Sequence, residues 1–165
     1  MQGLYVVTDA SITDPELLYR QVDEAVAGGS QLVQFRHKTI DSGLYLALAE
    51  AVLEACRRNF TPCLINDQVT IAKVLEADGA HLGQGDGSLL DARQSLGPNA
   101  LLGRTCHGSQ ELMEQAVADG ASYCAFGRLF ESDTKPQASG LSLNQLKDLV
   151  SQCAIPTVAI GGITL

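Results

Sequence analysis

The sequence predicts an α/β protein with an all-parallel sheet and, within that class, a (β/α)8 TIM barrel. Three observations carry this reading. Short β-type apolar runs alternate with helix-length patterns along the 165 residues, and strands joined by helix-sized crossovers pair in parallel. The first strand runs into Thr8-Asp9-Ala10-Ser11, without the glycine-rich turn that usually follows the first strand of an open doubly wound sheet. Nearly every strand ends in polar, chemically useful residues, as in a barrel whose site collects from many strand ends at its C-terminal mouth. Length is the one departure. A barrel runs to about 200 residues or more, whereas this chain stops shortly after its seventh strand pattern. The expectation is a single barrel domain over 1–165, truncated at its C-terminus, with the eighth strand missing.

The elements follow in order. Leu4-Tyr5-Val6-Val7 is the first strand. Asp14-Pro15-Glu16 opens a helix, with an N-cap, a proline in the first position and an acid in the first turn. Leu18, Val22, Ala25 and Val26 form its apolar face, and Gly28-Gly29 stop it. A second strand covers 31–38. Ser42 begins a helix whose face is Leu44, Leu48, Ala51, Val52 and Ala55. Pro62-Cys63-Leu64-Ile65 is the third strand, ending at Asn66-Asp67, and a short helix follows over about 68–77. Gly79-Ala80-His81-Leu82 is the fourth strand, and Leu89 to Leu96 a helix closed by Gly97-Pro98. The fifth strand starts at Leu101 and ends in Arg104-Thr105-Cys106-His107, and Ser109 caps the next helix. Tyr123 to Gly127 is the sixth strand, followed by a polar loop over 131–140. Ser142 opens a helix with Leu143, Leu146, Leu149 and Val150, and Pro156 to Ile160 is the seventh strand.

Composition narrows the partners. With 45% hydrophobic and 18% charged residues, the chain is an ordinary soluble globular one. A net charge of −8 argues against nucleic acid or an anionic membrane as a general partner. There is no apolar run long enough for a transmembrane helix and no signal peptide, so a cytoplasmic protein is expected. The five cysteines contain no CxxC pair and read as small buried thiols. Cys106, beside other polar candidates, is the one to follow.

The candidate chemistry sits at the strand ends. In a regular strand Gln34, Arg36 and Lys38 share a face, with the two cations about 7 Å apart, a spacing suited to clamping a diphosphate. A charged edge strand is the structural alternative. Asp67 and Asp86 close the third and fourth strands, and two carboxylates with open positions suit Mg²⁺, which keeps waters and shares substrate phosphates. Taken singly, a helix cap at Asn66-Asp67 or a turn at Gly85-Asp86-Gly87 is the more ordinary explanation; the two carboxylates at one barrel mouth, near Arg36 and Lys38, are what favour a metal. Ser132-Asp133-Thr134-Lys135, in the polar loop, and Gly161-Gly162, after the seventh strand, are suited to phosphate. His107 is either an acid/base group or a structural one. His81 reads as structural. His37 points away from Arg36 and Lys38.

With these residues in view, the sequence resembles the thiamine-phosphate synthase family from Leu4 to Ile163. The marks are Leu-Tyr-Val-Val-Thr-Asp, Gln34-x-Arg36-x-Lys38, Ile65-Asn66-Asp67, His81-Leu82-Gly83-Gln84-x-Asp86, Thr134-Lys135 and Ala159-Ile160-Gly161-Gly162-Ile163. The resemblance implies a Mg²⁺-dependent transferase of thiamine biosynthesis. It would condense hydroxymethylpyrimidine diphosphate with hydroxyethylthiazole phosphate, giving thiamine phosphate and diphosphate. It implies that Gln34, Arg36, Lys38 and Asn66 hold the pyrimidine diphosphate, with Phe35 and His37 inside the same substrate-binding stretch. Asp67 and Asp86 would hold Mg²⁺. Lys135 would contact the diphosphate, and Thr105 would lie near the pyrimidine. Ser132, Thr134 and Gly162 would line the thiazole phosphate site, with Asp133 in the same substrate-binding loop. Arg36, Lys38, Thr105 and Lys135 are the expected catalytic residues. No general base is required.

The sequence departs from the family pattern in three places. Threonine stands at 105 for serine, Glu131-Ser132 for Pro-Thr, and the segment completing the thiazole phosphate site is absent. The chain as it stands is therefore expected to be impaired, or to need a partner that covers an open barrel edge; a homo-oligomer is compatible with this. Two alternatives stand beside the synthase. One is a thiazole tautomerase-like barrel using His107, and the other a non-catalytic binder of thiazole or thiamine phosphate.

Overall fold

The structure, a computed structural model, describes residues 2–38, 41–130 and 140–163. The strands are β1 (Tyr5–Val7), β2 (Leu32–Phe35), β3 (Cys63–Asn66), β4 (Gly79–Leu82), β5 (Leu101–His107), β6 (Tyr123–Phe126) and β7 (Thr157–Ala159). Between them lie α1 (Pro15–Ala27), α2 (Ser42–Arg58), α3 (Val69–Val74), α4 (Leu89–Leu96), α5 (Gln110–Ala118) and α6 (Leu143–Gln152). The strand order follows the chain from β1 to β7, and the pairings β1–β2, β2–β3, β3–β4, β5–β6 and β6–β7 are parallel. This is the TIM-barrel type of α/β fold that the sequence predicts, with seven strands among the described residues. The chain divides into two compact units, Met1–His81 with Ser95–Leu101 and Leu82–Gln94 with Leu102–Leu165.

In the first unit, α1 starts where the Asp14 carboxylate accepts from the Glu16 and Leu17 N–H groups, at 3.0 and 3.5 Å. These are two of the donors that a helix start leaves without intrahelical partners. Leu18, Val22 and Val26, four residues apart, are its buried face and pack toward α2. Asp41 caps α2 through the Leu44 N–H at 2.7 Å, and Arg57 and Arg58 in the last turn suit the helix dipole. The buried face of α2 is centred on Tyr45, Leu48, Ala49, Val52, Leu53 and Cys56. The predicted stripe through Leu44 and Ala51 is thus displaced by about a residue, and both of those are only half-buried. The displacing contact is the Tyr45 ring, which meets Phe35 edge-on at 5.0 Å.

All four residues of β2 are buried, as in a parallel strand covered on both faces. Each fully buried Leu, Val or Phe there contributes about 2 kcal/mol of transfer free energy. The strand is shorter than the predicted 31–38. It ends at Phe35 because the Arg36 N–H donates to the Thr8 hydroxyl, at 2.9 Å, and not to a ladder carbonyl. Strand alternation therefore does not extend to Arg36 and Lys38, which lie in the segment beyond it.

In the second unit, β5 pairs with β6 through a register shift between Thr105 and His107. The Ser109 hydroxyl caps α5 by accepting from the Leu112 N–H at 3.3 Å. Ser142 and Gln145 form a reciprocal capping box at the start of α6. The predicted apolar face of α6 is only partly buried. Leu149 is in the core, but Leu143 is 57% and Val150 42% exposed. Periodicity defines a stripe on a helix, and what covers that stripe depends on tertiary packing.

Gly79, at the start of β4, has no room for a side chain, since a Cβ there would lie 1.9 Å from the Leu101 carbonyl oxygen. Gly79→Ala is expected to lower the unfolding free energy by roughly 3 kcal/mol or more, since backbone cannot step aside. Gly85→Ala, where a Cβ would meet nothing within 4 Å, is expected to stay close to wild type. Denaturant titration of the two variants checks the contrast.

Candidate active site

The first unit carries the predicted cation segment and the first carboxylate. Gln34 is 4% exposed, and its amide Nε2 donates to the Tyr5 hydroxyl at 2.6 Å. That bond compensates the burial of an amide within an apolar strand and sets which way the amide faces. Arg36 is half-buried and Lys38 exposed. The backbone of Arg36 is gripped at two points by Thr8 on the neighbouring chain segment. The Thr8 hydroxyl accepts from the Arg36 N–H at 2.9 Å and donates to the Arg36 carbonyl at 3.1 Å. Phe35 is wholly buried and stacks on His37, with ring centroids 6.4 Å apart and planes 11° from parallel. Phe35 therefore anchors the segment that follows β2 from within the core. The His37 ring lies against Phe35, although β2 has already ended.

Asn66, the last residue of β3, is half-buried and Asp67 exposed. Asp67 adopts a left-handed backbone, φ 62°, a conformation costing a non-glycine residue about 1 kcal/mol and one that Asp and Asn tolerate best. Its N–H donates to the His81 carbonyl at 2.9 Å. The helix-cap alternative for Asn66-Asp67 does not hold, because α3 begins at Val69 with Gln68 as its N-cap and no side-chain cap. The Asp67 charge is felt by Tyr45. Burial first, and Asp67 second, push the Tyr45 phenol up to about 12, against an opposing hydrogen bond with Gln68. His81 is buried, as a structural histidine should be. At the opposite ends of β3 and β4, a hollow of about 410 Å³ is lined by Arg57, Phe60, Thr61, Pro62 and Asp78. It contains none of the predicted site residues.

The second unit carries Asp86, Thr105, His107 and Gly162. The exposed Asp86 folds back so that its Oδ2 accepts from the Gly83 N–H at 2.9 Å. A Cβ at Gly83 would lie 2.6 Å from that same oxygen, so the glycine makes room for the carboxylate. The turn alternative for Asp86 is thus part of its placement. Thr105 is half-buried, and its carbonyl accepts from the Gln84 amide. His107 closes β5 with φ 52°, is exposed, and its carbonyl accepts from the Gly127 N–H at 3.0 Å. Gly161 (φ 105°) and Gly162 (φ 64°) are left-handed. A Cβ at Gly161 would meet Arg128 Cβ at 2.5 Å, which gives that glycine a packing reason of its own. Ser132, Asp133, Thr134 and Lys135 lie outside the described residues.

Cys106 is not a site thiol. It is fully buried, with its sulfur 3.6 Å from the Arg104 and Leu112 carbonyls. A hydrogen bond with Cys124 holds its thiol below the usual range, with burial opposing; Cys124 is correspondingly pushed up. In the first unit, Cys63 is raised by its bond with Cys56 and by burial. The thiols at 56, 63, 106 and 124 are core residues, as the sequence suggests, and Cys153 is half-buried.

Sequence reasoning missed Tyr5, Thr8, Gln84 and Gly83 as supports. Tyr5, Thr8, Gly83 and Gln84 all fall inside the quoted motifs, which was the available signal. Asp67 and Asp86 are hard oxygen donors, and Mg²⁺ needs only one or two protein carboxylates. Among the described residues, no group of three or more His, Cys, Asp or Glu side chains is placed to hold a metal ion.

A parallel βα fold with its strands in chain order defines the class, a TIM-barrel-type α/β protein. Within that class, the family model for thiamine monophosphate synthase matches residues 4–165, and the chain belongs to that family, one of transferases in thiamine biosynthesis. A similar solved structure is the thiamine phosphate pyrophosphorylase of Pyrococcus furiosus. It is 31% identical with a TM-score of 0.83, over 97% of this chain and 75% of that one. The 3-dehydroquinate dehydratase of Geobacillus kaustophilus (15% identity, TM-score 0.67, 95% of this chain and 72% of that one) shares the fold alone. So does a rubisco-like protein of Alicyclobacillus acidocaldarius (14% identity, TM-score 0.57, 96% and 49%). Among the described residues, no helix is long and apolar enough to cross a membrane.

The Tyr45 shift predicts an alkaline signature. The folded phenol keeps its proton to about 12, against 10.0 for a free tyrosine. Between those values the unfolded chain therefore binds fewer protons, and stability falls as pH rises. The contribution is complete below pH 10 and lost through about 12, amounting to about 2 kcal/mol. Tyr45→Phe should flatten this slope in denaturant titrations taken across that range.

Proposed function

We propose that the protein condenses hydroxymethylpyrimidine diphosphate with hydroxyethylthiazole phosphate, releasing diphosphate and forming thiamine phosphate, in the cytoplasm. The observation that carries this reading is the family match over residues 4–165. The polar strand ends of both units support it, since they supply the residue types such a reaction needs.

The bond that breaks joins the pyrimidine methylene carbon to the diphosphate oxygen, and the electron pair leaves with the diphosphate. The thiazole nitrogen then donates its lone pair to that carbon. Negative charge grows on the leaving group in the transition state, so fixed cations stabilise that state more than the ground state. Arg36 and Lys38 fill that role, and Lys135 joins them through the family resemblance. Gln34, oriented by Tyr5, and Asn66 hold and orient the pyrimidine diphosphate, with Thr105 near the ring. Ser132, Thr134 and Gly162 take the thiazole phosphate, again by resemblance, with Asp133 in the same loop. Asp67 and Asp86 would hold Mg²⁺, which when bound neutralises diphosphate charge. Both are exposed carboxylates, as a solvated hard cation shared with substrate requires.

The test is turnover of both substrates with and without Mg²⁺. Product and diphosphate should appear together and disappear on chelation, restored by Mg²⁺. Binding of thiamine phosphate without any diphosphate release would reduce the protein to a binder. Arg36→Ala should lower kcat/KM by about a hundredfold with the melting temperature nearly unchanged, because the side chain is half-buried and lies outside the core. Full activity in that variant would remove Arg36 from the clamp.

A further inference from the structure

We infer that Thr8 is a positioning residue for the diphosphate clamp, acting through the backbone of Arg36; this rests on the proposed role of Arg36. β1 and β2 pair through Val7 and Gln34, and the Thr8 N–H continues the pairing to the Gln34 carbonyl at 3.0 Å. One residue further, the pattern changes. The Arg36 N–H and carbonyl both turn to the Thr8 hydroxyl, at 2.9 and 3.1 Å. A single hydroxyl that accepts from the amide and donates to the carbonyl of the same residue fixes that peptide on both sides. It thereby sets the direction in which the Arg36 side chain and the following Lys38 leave the strand.

Thr8 is 8% exposed, so water cannot readily replace the hydroxyl. A chain leaving a strand end normally has rotational freedom, and a clamp for a planar or tetrahedral anion works only when its donors are held in place beforehand. Arg36 is half-buried and Lys38 exposed, so packing alone restrains the segment only weakly. The hydroxyl supplies the restraint that strand pairing has ceased to supply.

The experiment compares wild type, Thr8→Val, Thr8→Ser, Arg36→Ala and the Thr8→Val/Arg36→Ala double variant of the whole protein. Inorganic diphosphate with Mg²⁺ serves as the probe in calorimetry, and amide exchange at residue 36 is followed by NMR. Valine matches threonine in shape and lacks only the hydroxyl. Its binding should weaken about tenfold, the worth of roughly one to two hydrogen bonds, and the Arg36 amide should exchange faster. Serine should behave as wild type. In the Arg36→Ala background, Thr8→Val should cost distinctly less than in wild type, since only the positioning of Lys38 remains to be lost. Should the valine variant fail to fold, Thr8→Ala carries the same comparisons. Wild-type affinity in Thr8→Val, or an equal loss in both backgrounds, overturns the inference while leaving the clamp standing. Absence of diphosphate binding by wild type overturns the clamp itself, and the inference with it.

Discussion

Parallel strands must satisfy their last backbone groups beyond the ladder, and much of this structure is organised by how that is done. Inside the strands the ladder supplies partners from the neighbouring strands, and β2 and β6 are buried along their whole length. At the C-terminal ends the ladder stops and other groups take over. Thr8 serves Arg36 with its hydroxyl, and Gln84 serves the carbonyl of Thr105 with its amide. The main chain of Asp67 serves His81, and that of Gly127 serves His107. Each of these contacts fixes a residue beside a candidate functional group. The same requirement that ends the strands thus arranges the polar groups outside them.

This arrangement explains what the sequence could reveal. The alternation of apolar runs with capped helical stretches placed all seven strands and their intervening helices, because hydrophobic period and cap chemistry are local properties. Asp14, Ser109 and Ser142 cap helices where the pattern places them. The reading failed where a partner distant in sequence decides the outcome. β2 ends early because of a hydroxyl 28 positions away. The face of α2 turns because Tyr45 finds Phe35. α6 keeps Leu143 and Val150 exposed although their spacing is that of a core face.

The candidate site divides along the same line. Residue types at strand ends were legible, since Arg36, Asp67, Asp86 and Thr105 stand out in an otherwise apolar rhythm. Their supports were not, because Tyr5 and Thr8 look like ordinary strand residues until the neighbouring strand is known. The structure also separated alternatives that the sequence left open. Asn66-Asp67 is no helix cap, whereas Asp86 is held by its own turn. Cys106, beside polar neighbours in the sequence, faces inward to Cys124.

The left-handed backbone of Asp67 has a consequence for which residues this position can accept. Glycine fits the conformation most easily but carries no side chain, while glutamate keeps the charge and suffers the steric conflict. Asparagine tolerates the same geometry and is neutral. With the metal role proposed for Asp67, shape and charge would impose separate filters here, and aspartate alone would pass both. A position under two independent filters has almost no neutral neighbours in sequence space, so even a conservative drift would be registered in one property or the other.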